Sequence, residues 1–283
     1  GQILDYARST PNHKNFEKRG CPILAVPTTS GTGSEVSQYA VITNAKTHRK
    51  TTIASPFILS NTAILDPKLA ATMPKEVTAY TGMDAMAHAV EAYTYKTTIE
   101  EDSVISDALA LKAIELLAEN LPEAYENGRD LKARKNMMWA ALLAGVALNI
   151  GSGETHAIGS MLSKYYGVSH GVSVGIPLPE CMEYNLSACP KRFAEIAAAL
   201  GGESERLSEE EAGRAGIRRI RELMRKLSFP KMSDYIKSMD EAREFSEECA
   251  GNSCCTSNGR MDNREAIEEV FAACLKEQGE NNT

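Results

Sequence analysis

The stretch "TGMDAMAHAVEAY", residues 81–93, places one carboxylate and one imidazole in an otherwise apolar segment. Asp84 and His88 are four residues apart. On an α-helix this spacing is a rotation of about 400°, so the two side chains lie on one face, one turn apart. The surrounding Met and Ala residues are typical of a protein interior, where an uncompensated carboxylate is costly. The stretch therefore predicts a buried helix on which Asp84 and His88 meet a compensating charge.

The histidines suggest where that charge comes from. The chain has five of them, and His13 and His48 lie in polar surroundings that predict surface positions. His156 opens a helical pattern after a glycine-rich break, and His170 lies in a glycine-rich loop before an apolar run. Imidazole and carboxylate together suit a divalent cation, zinc and iron included. The spacing also permits the simpler interpretation that each buried His is an ordinary hydrogen-bonded core residue.

The order of the elements predicts the fold class. Short apolar runs at 21–27, 37–44 and 61–67 have strand-like content, and "CPILAVP" at 21–27 is predicted to be a buried strand. From residue 69 onward long helical patterns dominate. They are predicted over residues 74–95, 102–120, 130–149, 154–166, 190–200, 208–227 and 263–277. Strands followed by helices indicate an α/β part joined to an all-helical domain.

Composition narrows the function classes. The 283 residues carry a net charge of −7, with 43% hydrophobic residues, as in ordinary globular proteins. No apolar run reaches the roughly 18 residues of a membrane span, and the basic cluster at 218–226 is interpreted as a solvated helix face. Neither a membrane nor a nucleic-acid partner is therefore expected. Seven cysteines without a CxxC pair favour a cytoplasmic location, and the cluster at 249–255 is assigned no role.

Three motifs carry a family resemblance. "PTTSGTGSEV" (27–36), "DPKLAATMPKEVTAYTGMDAMAHAVEAY" (66–93) and "SHGVSVGIPLPECMEYN" (169–185) resemble segments of the iron-containing (group III) alcohol dehydrogenases. The likeness covers about residues 20–200 and resumes more weakly in "NGRMDNREAIEEVFAACL" (258–275). It implies a dehydroquinate synthase-like architecture. A remnant of a Rossmann-like α/β domain would occupy residues 1–68, and an all-α helical metal-binding domain would occupy residues 69–283.

The resemblance also implies site residues and an activity. Fe2+ or Zn2+ would be held by Asp84, His88, His156 and His170, and NAD(P) would be contacted by Thr28, Thr29, Gly31, Thr32 and Lys50. The implied reaction is hydride transfer between NAD(P) and a small alcohol or aldehyde, in a homo-oligomer, most simply a dimer. Two alternatives stay open: a glycerol dehydrogenase-like relative, and a metal-binding helical fragment without catalysis.

Two departures from the family pattern qualify this expectation. Family members carry a further N-terminal segment with a Gly-Gly-Gly-Ser loop for the cofactor pyrophosphate, and no such loop occurs in these 283 residues. Glycine loops and helix N-termini supply most backbone hydrogen bonds to a pyrophosphate. The chain is therefore expected to be a truncated form that binds NAD(P) poorly. In addition, Ser160 occupies the place where many relatives carry a His suited to relaying the alcohol proton, so no proton path is assigned.

Overall fold

Strands precede helices along the chain. The computed structural model describes residues 2–45, 50–95, 103–202, 206–252, 254–255, 260 and 263–276. The strands are β1 (Leu24–Ala25), β2 (Tyr39–Thr43), β3 (Lys50–Ala54) and β4 (Thr62–Ala63). The helices are α1 (Pro67–Ala70), α2 (Lys75–Tyr93), α3 (Val104–Glu126), α4 (Leu131–Ala147), α5 (Glu154–Tyr166), α6 (His170–Gly175), α7 (Leu178–Asn185), α8 (Pro190–Ala199), α9 (Glu209–Lys226), α10 (Met239–Ala250) and α11 (Arg264–Lys276). The predicted fold class, a small α/β part followed by a helical part, is confirmed.

The long helices lie where the hydrophobic periodicity predicts them, with two differences. Helix α3 continues past the predicted end at Asn120, through Pro122 to Glu126, because Leu121 and Tyr125 are buried in the core. The loop and apolar run predicted around His170 are instead the short helices α6 and α7. Gly167 ends α5 in the left-handed conformation, at φ 64°, and Pro177 separates α6 from α7. No helix in the described part of the chain is both long and apolar enough to cross a membrane.

The strands form two small sheets. β1 pairs with β4 in parallel, and β2 pairs with β3 antiparallel, with Tyr39 opposite Ala54 and Thr43 opposite Lys50. The prediction of a buried strand over residues 21–27 is wrong in two respects. Only Leu24 and Ala25 pair as a strand, and Leu24 is 64% exposed. The apolar run would be buried only beneath further strands or helices, and no described element covers it.

The core is built around α2. Fourteen of its residues are buried, with Met83 and Met86 fully so, and it packs against α3, α4 and α6. Close approach of α3 requires a glycine, since a Cβ on Gly82 would lie 2.5 Å from a methyl carbon of Leu121. The fully buried Arg134 of α4 donates to Thr78 Oγ1 at 2.8 Å and to the carbonyl of Met73 at 3.2 Å. This guanidinium ties α4 to the beginning of α2.

The strand-rich part is attached to the C-terminal end of α4. Asn149 accepts a hydrogen bond from the amide of Gln38 at 2.8 Å and donates to the carbonyl of Val36 at 2.9 Å. Gly33 and Gly145 meet backbone to backbone, because a Cβ on either residue would lie about 2.5 Å from the Cα of the other. The 28–36 segment is therefore held directly on the helical core, next to α2.

Candidate metal centre

Three helices bring four ligand-type side chains together. Asp84 and His88 lie one turn apart in the middle of α2, as their spacing predicts. His156 lies in the first turn of α5, and His170 is the first residue of α6. One nitrogen or oxygen of each residue lies within 4.8 Å of the corresponding atom of every other. The residues predicted separately from the glycine breaks and from the helix spacing thus form one cluster.

The separations fit a cation. Asp84 Oδ1 lies 3.6 Å from Nε2 of His88 and 3.6 Å from Nε2 of His170. A tetrahedral site with ligand bonds of about 2.1 Å has ligand atoms roughly 3.4 Å apart. The rings of His88 and His156 stack with centroids 4.9 Å apart, and the rings of His156 and His170 have centroids 5.5 Å apart. Three imidazoles and one carboxylate are donors that suit both iron and zinc.

Unsatisfied polar atoms point to the same conclusion. Asp84 Oδ1 and His156 Nε2 are both buried without a hydrogen-bond partner. Burial raises the pKa of Asp84, and His170 and His156 partly offset that effect. Buried polar groups are normally paired, and each exception calls for an explanation. A bound cation would satisfy both atoms and supply the positive charge that the buried carboxylate lacks.

The pKa values of the three imidazoles are shifted in different directions. Burial lowers the pKa of His88 to about 3 and that of His170 to about 4, so both rings are neutral at pH 7. Burial also acts to lower the pKa of His156, but the charge and hydrogen bond of Glu91 outweigh it, and the pKa is raised. A neutral imidazole is the form that coordinates a metal. His88 and His170 are therefore already in a ligand-competent state.

Glu91 is a site residue that the sequence reasoning missed. Its carboxylate is hydrogen-bonded to Nδ1 of His156 and accepts from the backbone amide of His156 at 3.3 Å. Burial acts to raise the pKa of Glu91, but His156 lowers it, so the carboxylate stays ionised. The sequence spacing could have indicated Glu91, because residues 84, 88 and 91 follow helical spacing on one face of α2. A carboxylate behind a metal-binding His is a frequent arrangement that fixes the ring and raises its basicity.

The segment predicted to contact NAD(P) lies next to the cluster. Gly31 packs against α2 so closely that a Cβ would lie 2.6 Å from Cβ of Thr81, and its backbone acts to raise the pKa of His88. Thr28 and Thr32 are exposed, and Thr29 is half-buried. The Thr32 hydroxyl is hydrogen-bonded to that of Ser34 at 2.7 Å. The 28–36 loop thus carries three exposed hydroxyl-bearing residues, Thr28, Thr32 and Ser34.

Lys50, the other predicted cofactor contact, lies against the cluster itself. Its ammonium nitrogen is 3.4 Å from Nδ1 of His170 and donates to Ser163 Oγ at 3.2 Å. Burial lowers its pKa, an effect that Asp84 partly offsets. Ser160 does not reach across to substitute for a relay histidine, because its hydroxyl donates to the carbonyl of His156 at 2.8 Å.

Among the described residues, neither His13 nor the cysteines of the 249–255 segment contribute a ligand atom to the four-residue cluster. His13 is exposed, as predicted, and His48 lies outside the described residues. Cys249 and Cys255 are buried, and burial raises the pKa of Cys254 to about 11, so its thiol is protonated at neutral pH. Ser253 within the same segment also lies outside the described residues. Cys254 is thus not poised for thiolate chemistry.

Comparison with known families agrees with this fold. The sequence profile described as "Fe-containing alcohol dehydrogenase family, C-terminal" matches residues 78–275. A second profile, described as "Iron-containing alcohol dehydrogenase", matches residues 2–67. The two profiles together span both the strand-rich part and the helical part. The chain belongs to the iron-containing alcohol dehydrogenase family.

The chain is similar in sequence and structure to several dehydrogenases and reductases. The chain is 37% identical to the choline dehydrogenase of Bacillus subtilis (strain 168) over 97% of its own length and 67% of the relative's. A crystal structure of 1,3-propanediol oxidoreductase superposes with a TM-score of 0.90 at 36% identity, covering 97% of this chain and 70% of that one. A sulfoacetaldehyde reductase from Bifidobacterium kashiwanohense in complex with NAD+ superposes with a TM-score of 0.85 at 26% identity, covering 97% and 69%.

Length separates this chain from those relatives. It spans between 57% and 71% of the length of the curated relatives that it matches. The aligned part includes the four clustered side chains and the 28–36 loop, because the matched profiles cover residues 2–67 and 78–275.

Proposed function

We propose that this chain is the metal-binding portion of an NAD(P)-dependent alcohol dehydrogenase that acts on a small alcohol or aldehyde. The observation that carries the proposal is the convergence of Asp84, His88, His156 and His170. Within this group, Asp84 Oδ1 and His156 Nε2 are buried without a hydrogen-bond partner. Such a set suits Fe2+ or Zn2+. The named relatives act on choline, a short diol and a sulfonated aldehyde, so a small hydroxyl or carbonyl compound is the proposed substrate class.

Each site residue has a proposed task. His88, His156 and His170 would hold the cation through nitrogen, and Asp84 would add an oxygen ligand and one negative charge. A divalent cation held there supplies a Lewis acid that lowers the pKa of an alcohol hydroxyl. Glu91 orients the His156 ring through Nδ1. Burial of Asp84 and His88, which are 2% and 4% exposed, keeps water away from this side of the site.

The nucleotide is proposed to lie over the loop beside α2. Thr28, Thr29, Gly31, Thr32 and Lys50 would contact NAD(P). Support comes from the placement of the loop against Thr81 and from the 3.4 Å separation between Lys50 and His170. Hydride transfer itself belongs to the cofactor. The residues of this chain would hold the cofactor and the substrate beside the metal cluster.

We further propose that the complete enzyme has more of the nucleotide domain than residues 1–68 supply. Leu24, Val26 and Ile64 are 64%, 45% and 44% exposed in and beside the β1–β4 pair. Apolar strand residues in this position are normally covered by neighbouring strands or helices. The exposure of these apolar residues also favours the alternative that the 283 residues alone are a metal-binding fragment without catalysis.

The domain boundary after residue 68, the dimer and the cytoplasmic location remain predictions.

The test combines metal analysis with cofactor titration. The chain is reconstituted anaerobically with Fe2+ or Zn2+, alone and extended upstream in its gene, and NAD+ and NADP+ are titrated into each form. We expect about one metal ion per chain in both forms, cofactor binding mainly in the longer form, and oxidation of 1,3-propanediol only there. His156→Ala should lose the metal, whereas His13→Ala, which alters an exposed histidine, should retain it. Full occupancy in the His156→Ala variant would refute the ligand set.

The same experiment separates the alternatives. Metal binding without turnover in the extended form would favour the hypothesis of a metal-binding helical fragment without catalysis. Preference for glycerol over 1,3-propanediol in the extended form would favour a glycerol dehydrogenase-like enzyme. Absence of metal from every form would refute the centre itself.

A further inference from the structure

A cavity of about 440 Å3 lies between α7, α9 and the segment that follows α9. This volume is within the roughly 300–1,000 Å3 typical of small-molecule sites. None of the four clustered metal-ligand candidates lines it, and neither do the residues of the 28–36 loop. The cavity is therefore separate from the centre described above, and the proposed dehydrogenase chemistry does not account for it.

The floor of the cavity is apolar. Ile176, Phe229 and Met232 line it, and each is no more than 8% exposed overall. The ring of Phe229 packs edge-on against the ring of Tyr80 with centroids 5.6 Å apart. A rigid apolar floor favours the hydrocarbon part of a ligand, because burying such surface is worth about 25 cal/mol per Å2.

The rim of the cavity is cationic. Arg218, Arg221 and Arg225 follow one face of α9, and Lys231 faces them from the next segment. Arg221 is paired with the buried Glu180 at 2.6 Å, whereas neither Arg218 nor Arg225 has an ion-pair partner in the described part of the chain. Four cationic and two acidic residues line the cavity, although the whole chain carries a net charge of −7. The rim is therefore locally opposite in charge to the rest of the molecule.

The backbone turns sharply at this rim. Ser228 adopts φ 49°, one of two positive-φ residues other than glycine in the described chain. Its amide donates to the carbonyl of Arg225 at 3.1 Å, and the amide of Phe229 donates to that of Met224 at 2.9 Å. A non-glycine residue in this region costs about 1 kcal/mol or more and is frequent at ligand sites. Here the turn directs Phe229 into the floor directly after the last turn of α9.

We propose that this cavity binds an amphiphilic carboxylate, with its hydrocarbon tail on Ile176, Phe229 and Met232 and its anionic head at Arg218 and Arg225. The planar guanidinium fork matches a carboxylate in a two-point hydrogen-bonded arrangement. The apolar floor distinguishes this ligand class from inorganic anions, and the unpaired arginines distinguish it from neutral alcohols. The site is independent of the proposed metal centre.

The proposal is tested by calorimetric titration of the full chain with octanoate, hexanoate and butyrate at constant ionic strength. Affinity should rise about threefold to fourfold for each added methylene group. Arg225→Gln should weaken octanoate binding about tenfold. Lys226→Gln, which removes the same charge from the adjacent exposed residue outside the cavity, should change it less than twofold. Arg218→Gln should behave like Arg225→Gln.

Several outcomes would overturn the proposal. These are equal effects of Arg225→Gln and Lys226→Gln, binding of 1-octanol as tight as that of octanoate, or displacement of octanoate by an equal concentration of inorganic phosphate. Absence of octanoate binding at millimolar concentration would do the same. Because the His156→Ala variant keeps this cavity intact, it should bind octanoate as tightly as the unaltered chain. Octanoate binding that persists in a variant without metal would show that the carboxylate site does not depend on the proposed metal centre.

Discussion

The carboxylate of Glu91 is hydrogen-bonded to His156 at two atoms, the ring Nδ1 and the backbone amide nitrogen. The two residues belong to different helices, α2 and α5, so this contact sets the angle at which the ring of His156 faces Asp84 and His88. Because Nδ1 is engaged by Glu91, only Nε2 is left to face the cluster, and that atom has no protein partner.

Glu91→Gln should weaken metal binding. Glutamine keeps the shape of the side chain but removes the negative charge that makes His156 a more basic ligand. Loss of such an outer carboxylate typically costs 10–100-fold in metal affinity, and we expect a change in that range for Zn2+ in competition with a chromogenic chelator. Glu195→Gln, a carboxylate on α8 hydrogen-bonded to Tyr93, is the control and should leave the affinity within twofold. Equal affinities in both variants would contradict the role assigned to Glu91.

The metal-free protein should lose stability as the pH falls from 7 to 5. Burial lowers the pKa of His88 to about 3 in the folded chain, against about 6.5 in the unfolded chain. The unfolded state therefore takes up a proton first as the pH falls, and unfolding becomes more favourable. His170 acts in the same direction, but its side chain is 42% exposed, so solvent reduces its share. The raised pKa values of His156 and Asp84 act in the opposite direction.

Urea unfolding in the presence of a chelator measures this balance. We expect a free energy of unfolding about 1–2 kcal/mol lower at pH 5 than at pH 7. His88→Asn removes the dominant group and should flatten the dependence, whereas His13→Asn should preserve it. A stability that rises toward pH 5, or a slope unchanged in the His88→Asn variant, would show that the buried imidazole does not control it.

Arg134→Ala should destabilise the helical part. The guanidinium is fully buried and donates to Thr78, Met73 and Gly128. Its removal leaves the buried Thr78 hydroxyl and the carbonyls of the half-buried Met73 and Gly128 without this donor, at roughly 1–3 kcal/mol for each group that water does not reach. We expect a loss of about 2–4 kcal/mol in total by chemical denaturation. Lys135→Ala, at the adjacent exposed position, should stay within about 0.5 kcal/mol of the unaltered chain, and a similar loss in both variants would argue against a specific anchor.

Gly145→Ala should disturb the attachment of the 28–36 loop. A Cβ at this position would lie 2.6 Å from the Cα of Gly33, so backbone has to move to accommodate it. Overpacking of this kind costs about 1–3 kcal/mol. Gly20→Ala is the matched control, since a Cβ there meets nothing within 4 Å. In the upstream-extended protein, Gly145→Ala should weaken NAD+ binding more than it weakens Zn2+ binding, and the reverse order would contradict the proposed place of the cofactor.

Local patterns predicted the parts of this protein that depend on short spacings. The turn-apart placement of Asp84 and His88 follows from helical geometry, and the long helices follow from their apolar periodicity. Contacts between distant segments had no such signal. The approach of Lys50 to His170 depends on how the β2–β3 pair sits against α5 and α6, which no local pattern encodes. The exposure of Leu24 was missed because an apolar run indicates burial only when something covers it.

The span of sequence between the outermost members of the four-residue cluster has a consequence for folding. Asp84 and His170 are separated by 86 residues, so an ion held by both closes a long loop, as a disulfide would. For a permanent cross-link of that length, chain-entropy arguments give about 4–5 kcal/mol. An ion bound at the proposed site would therefore also hold α2, α5 and α6 together, and its removal by a chelator would loosen the helical core.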